Sequence, residues 1–201
     1  SHTVAGTMDN IDDALFTLAD KANNNALQSH YFDSMREIRL KRQEIETSFK
    51  IGFIEAADAL ISRNSNNNTR NTTYEISDVG LSLVEHDDLE ESLAVSALID
   101  KLTAQCHSEL YALDKRIGFL LDKDDLDSAD NPIGPKTLCT AFKSACGVIE
   151  SGVDIKIIVF KLFDRYICEG IQALYQSTND YLSTNGVLPS IATEIKNGQM
   201  P

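Results

Sequence analysis

NPIGPKTLCTAFKSACGVIESGVDIKIIVFKLFDRYICEGIQALYQSTNDYLSTNGVLP, residues Asn131 to Pro189, is the stretch on which the fold turns. Pro132 and Pro135 stop whatever precedes them. Pro135 also suits the first position of a helix, where a missing N–H costs nothing. From Lys136 to about Glu150, Leu138, Phe142, Ala145 and Ile149 fall on one helical face. Ser151-Gly152 breaks that run. A second run starts near Asp154 and continues to Thr184, where Asn185-Gly186 closes it. Val153 to Phe160 is β-branched enough for a strand, yet helical spacing continues through Leu162, Tyr166, Leu174 and Tyr181, far beyond strand length. The start of this helix is apolar on nearly every side, which makes it the central helix with neighbours on two faces.

Working outward, the acidic segment Asp122 to Asp130 ends a helix that spans about Asp87 to Leu121. Its stripe reads Leu89, Leu93, Leu98, Leu102, Cys106, Leu110, Leu113, Ile117 and Leu120. Asp87 or Asp88 caps its start, and Glu90 and Glu91 suit the positive end of the helix dipole. Before it, NSNNNTRNTT (Asn64 to Thr73) offers nothing to a core and reads as a polar loop inside one domain. A long helix precedes the loop, from about Ser29 to Ser62. Met35, Ile38, Arg42, Ile45, Phe49, Phe53, Ala56 and Leu60 form its stripe, and at ~1.5 Å per residue it is rod-like, roughly 50 Å long. The first helix runs from Asp9 to about Ala22, with Ile11, Leu15, Leu18 and Ala22 in step, before Asn23-Asn24-Asn25 interrupts. Residues 1–8 read as a cloning scar and disordered start, 9–189 as one helical domain, and 190–201 as the start of a linker to further regions.

The expected fold class is all-α: an elongated bundle of about five helices, three of them long. The chain has 31 acidic against 18 basic residues, a formal charge of -13, which disfavours nucleic acid and anionic membrane surfaces as partners. No apolar run approaches the ~18–20 residues of a membrane span. Cys106, Cys139, Cys146 and Cys168 fall inside the expected helices with no Cys-x-x-Cys pair, consistent with free thiols in a reducing cytoplasm. The sequons at Asn67 and Asn71 mark a polar loop and no more.

The chemistry-bearing candidates are few. SMREIRLKRQEIE gathers Arg36, Arg39, Lys41 and Arg42, with Arg42 in the apolar stripe where a leucine is expected. A guanidinium there needs a carboxylate or a bound anion, because an unpaired buried charge is costly. Three readings stand: a bridge to a neighbouring helix supported by the Glu37–Lys41 and Arg42–Glu46 spacings, a dock for an acidic partner, or a clamp on a small anion. The acidic partner would be another copy's Glu85 to Glu91 segment. In KLFDRY, Lys161 and Arg165 lie one turn apart, either snorkelling beside the core or anchoring a partner. DKDDLDSADN fails both possible calcium-loop registers, since neither places an oxygen ligand at the fifth position with glycine at the sixth. His86 and His107 are too far apart on one helix to share a metal, and no Gly-x-Ser-x-Gly or glycine-rich phosphate loop is present. No cofactor, metal site or catalytic motif is expected.

Four phrases carry a family resemblance: ALFTLADKANNNALQSHYFDSMREIRLKRQEIETSF (14–49), LSLVEHDDLEESLAV (81–95), NPIGPKTLCTAF (131–142) and VFKLFDRYICEGIQALYQSTNDYLSTNGVLP (159–189). They resemble the amino-terminal region of a large uncharacterised proteobacterial family whose members are often labelled thymidine phosphorylase. The residues give that label no support. The resemblance implies an excised helical module of longer proteins whose carboxy-terminal part is similar to the cyclic-di-GMP-reading PilZ barrel. The function expected on these grounds is a helical interaction or self-association module of a larger bacterial cytoplasmic regulatory protein. The alternative is an anionic-nucleotide (cyclic dinucleotide) sensor using the Arg36/Arg39/Arg42 face.

Overall fold

The computed structural model describes residues 2–66, 86–123 and 126–191. Six α-helices account for most of them: α1 (His2–Asp20), α2 (Asn25–Asn66), α3 (His86–Gln105), α4 (His107–Leu120), α5 (Pro135–Ala145) and α6 (Val153–Thr184). Single 3-10 turns at Ser128–Asp130 and Cys146–Val148 flank α5. No strand occurs among the described residues. The all-α expectation holds, with six helices in place of about five. The apolar spacing that continued past Phe160 outweighs the β-branched start of α6, as read from the sequence.

Helix α6 is the spine. It packs against α1, α3 and α4, while α5 wedges between α2 and α3, and α1 lies along α2. The centre is aromatic. Phe142 of α5 and Phe163 of α6 stack with centroids 3.8 Å apart, and Phe49 of α2 meets both edge-on at 6.1 and 6.4 Å. Phe160 adds a fourth ring. Burying each such ring stabilises the fold by about 1.5–3 kcal/mol, which ties three elements distant in sequence to one point.

Helix ends follow the expected chemistry. Pro135 opens α5 behind Gly134. At the end of α6, Gly186 takes φ +84, its N–H donates to the Ser183 carbonyl, and the Val187 N–H donates to the Leu182 carbonyl. That pair of bonds satisfies two orphan carbonyls and needs a left-handed residue, which favours glycine. Helix α4 ends the same way with Asp122 at φ 56: Asp122 N–H donates to Phe119 O and Lys123 N–H to Gly118 O.

Four expectations need correction. Residues 2–8 are not a disordered start: α1 begins at His2, and Val4 and Met8 are buried in the core, so apolar burial orders this turn. The α2 rod does not stop near Ser62 but includes Asn64 to Asn66; the rest of the Asn-rich segment, 67–73, lies outside the described residues, as does most of 190–201. The Asp87–Leu121 helix is two helices, broken at Cys106, where φ -108 and ψ 24 leave the helical region. Finally, two stripes run elsewhere. Leu89, Leu93 and Leu120 are exposed, and α3 buries Glu91 and Val95 instead; in α6, Leu174 and Tyr181 are exposed while Tyr175 and Asn179 are buried.

Polar partners explain the shifted stripes. Glu91 accepts from Lys156 Nζ at 2.8 Å across the α3–α6 seam. Tyr175 donates to the Ile133 carbonyl at 3.1 Å. Asn179 donates to the Glu109 carbonyl at 2.9 Å and accepts from buried Arg116 at 2.5 Å. Once satisfied in this way, polar side chains enter a core at little net cost.

Candidate functional site

The three clustered arginines of α2 divide into two engaged residues and one facing solvent, while Arg63 near the helix end pairs with Asp130. Arg42 Nη1 meets Asp9 Oδ1 of α1 at 2.7 Å, and its Nε meets Glu46 Oε1 at 3.0 Å. Arg39 Nε bonds Asp12 Oδ2 of α1 at 2.6 Å. The guanidinium in the stripe is thus neutralised by carboxylates, and both arginines join α1 to α2. An anionic nucleotide would have to displace Asp9, Asp12 and Glu46 from them. Arg36 is exposed. Lys161 and Arg165 are also exposed, on α6. Lys161 stands at the rim of an open groove of about 240 Å³ between α3 and α6, lined by Ala94, Leu98, Ile157 and Phe160. Asp164 in the same groove binds Lys101 at 2.7 Å, so it joins α6 to α3 and does not serve its neighbours in KLFDRY. Of the acidic segment offered as a partner surface, Glu91 is bound to Lys156, and Glu85 lies outside the described residues.

Sequence reasoning missed what Glu37 and Lys41 do. Their i,i+4 spacing is visible, but their target is not. Glu37 accepts from the backbone N–H groups of Glu150 (2.6 Å) and Ser151 (3.1 Å) and from the Ser151 hydroxyl. Lys41 donates to Glu37 (2.9 Å), the Val148 carbonyl (2.6 Å) and Glu150 (2.8 Å). Burial alone would raise the Glu37 carboxyl; the donors from Ser151, Glu150 and Lys41 outweigh it and bring it down to about 2. This pair fastens the α5–α6 connection to the middle of α2.

The free cysteines are withdrawn from chemistry. Cys106, Cys139 and Cys146 are buried and Cys168 is half-buried. Burial pushes the Cys139 thiol up to about 12 and that of Cys168 up to about 11, so little thiolate exists at neutral pH. Among the described residues no three His, Cys, Asp or Glu side chains gather as metal ligands would, and no helix is long and apolar enough to cross a membrane.

What stands out is the outer face of α2. Its inner face buries Ile38, Ile45 and Phe49. Opposite them, Arg36, Leu40, Gln43, Thr47, Ile51, Ile54, Asp58 and Ile61 are all exposed, at steps of three and four residues. Such steps keep a row on one side of a helix over roughly 38 Å. Leu40 is 77% exposed, Ile51 51% and Ile54 58%. Isolated exposed aliphatic residues are ordinary, but four in one register on one helix are not. The signal was present in the spacing; the stronger inner row drew the reading away from it.

Comparison with known proteins adds a family. Nothing matches among curated proteins or among solved structures. A family model described as the N-terminal domain of a protein of unknown function, DUF1631, matches residues 2–186. That description carries no activity and gives no support to the thymidine phosphorylase label or to a PilZ link. With nearly the whole described chain inside the match, helices α1 to α6 included, this protein belongs to the DUF1631 N-terminal domain family.

Proposed function

We propose that this domain is a docking module: a helical bundle that holds α2 rigid so that its outer row receives a helix of a protein partner. One observation carries the reading, the solvent-facing row of Leu40, Ile51, Ile54 and Ile61 on a helix whose other face is locked into the core. Such a surface gains by leaving water, at about 25 cal/mol per Å² of apolar area. The locked inner face matters equally, because a preorganised helix loses little entropy when it docks. The family's description as an N-terminal domain agrees with a module that serves a longer protein.

The test is position-specific. A photo-crosslinking amino acid placed at position 40, 51 or 54 in cells is expected to yield a discrete adduct heavier than the chain. The same group at Ser177, exposed on α6, is expected to yield none. Absence of adducts from all three positions on the row would reject the docking role.

A further inference from the structure

We infer that the partner is a second copy of this chain, paired antiparallel through α2 about a twofold axis at Thr47. This rests on the docking role of the outer row and adds its occupant and register. Arg36 and Asp58 sit eleven residues to either side of Thr47, both exposed and on the row, and neither makes an ion pair among the described residues. An antiparallel pair centred on Thr47 sets Arg36 against the partner's Asp58, and does so twice. A parallel in-register pair would set Arg36 against Arg36 and Asp58 against Asp58. Like charges facing each other across a seam select against that orientation, while opposite charges fix register.

The apolar positions agree with the same centre. Leu40 then faces the partner's Ile54, and Gln43 faces the partner's Ile51, with Thr47 against its own copy between them. At either end, Phe32, partly exposed on the edge of the row, comes beside the partner's Ile61. A sequence that serves both sides of a twofold must be self-complementary about one point, and this row is. Among the described residues no other helix presents four exposed aliphatic side chains in one row. Neighbours α1 and α5 pack on the inner side of α2, and among the described residues the outer row from Arg36 to Ile61 is exposed.

Cysteine pairing in the 201-residue chain tests register and orientation together. Under mild oxidation Thr47→Cys is expected to convert most of the chain to a covalent dimer, because the two copies meet at that residue within disulfide reach. Leu40→Cys alone is expected to stay monomeric on denaturing gels, since its two copies lie about 20 Å apart in this register. The double variant Leu40→Cys with Ile54→Cys is expected to dimerise. The unsubstituted chain, whose own thiols are buried or half-buried, is the background. A dimer from Leu40→Cys alone means parallel pairing and overturns the inference. So does a monomeric unsubstituted chain at every concentration with no product from Thr47→Cys. Crosslinked adducts to a different protein in cells, alongside that monomer, would leave the docking role standing with another occupant. Self-cover by residues 67–85 would give the monomer and no adduct to any other chain, which ends both.

Discussion

Glu37 brings the covalently distant residues Glu150 and Ser151 to the side of α2, and Lys41 holds the Val148 carbonyl beside them. The arrangement makes one carboxylate responsible for the connection on which the α5–α6 angle depends. Its pKa is lowered to about 2, so its contribution to stability is complete above the ordinary carboxylate range. That contribution is lost as pH falls from about 4.5 towards 2, because protonation must then break the bonds that lowered it. Glu37→Gln is therefore expected to lower the unfolding free energy by about 1–3 kcal/mol at pH 7. The deficit should shrink towards pH 3, because the carboxyl of the unfolded chain is by then protonated and folding must ionise it. Urea denaturation of both proteins at pH 7, 5 and 3 checks it; a deficit that stays constant with pH would mean that packing, not charge, is what the substitution disturbs.

Among the elements, the end of α6 shows how a buried charge can organise a terminus. Arg116 on α4 is buried and donates to Asn179 of α6 and to the carbonyls of Val187 (3.3 Å) and Leu188 (3.4 Å). These carbonyls follow the left-handed turn at Gly186, so the arginine pins the segment that leaves α6. Arg116→Met keeps the aliphatic stem and removes the donors. We expect faster amide exchange at Val187, unchanged exchange in the Phe142–Phe163 core, and a loss of about 1–3 kcal/mol. Uniformly faster exchange throughout would show that α4 depends on this residue globally. The same element shows the reach of sequence reading. Pro135, Gly186 and the inner row of α2 were legible because each acts through local chemistry or apolar spacing. The buried rows of α3 and α6 were misread where Glu91, Tyr175 and Asn179 enter the core. Their partners, Lys156, the Ile133 carbonyl and Arg116, lie far away in sequence, and an apolar count cannot see a polar group satisfied at long range. The break at Cys106 has neither proline nor glycine to announce it.

At the scale of the whole molecule, the helices do two jobs with α2. Phe49 and its neighbours commit one face to the core, and the remaining face carries an aliphatic row with Arg36 at its start and Asp58 between Ile54 and Ile61. Of the candidate residues legible in the sequence, Arg39 and Arg42 serve the α1–α2 contact, whereas Arg36 borders the row. The row itself was overlooked for a physical reason: a helix with apolar residues on two opposite faces has weak amphipathicity, and one face must be assigned before the other can be noticed. The central proposition is that this second face pairs two antiparallel copies about a twofold axis. Sedimentation equilibrium of charge-reversed chains tests it most directly. Arg36→Asp and Asp58→Arg, each alone, should weaken self-association by about tenfold, since each puts two like-charge pairs across the seam. Combined in one chain, Arg36→Asp with Asp58→Arg should restore it, because opposite charges face each other again. A double reversal no stronger than either single one, or a chain that sediments as a monomer throughout, would contradict the account.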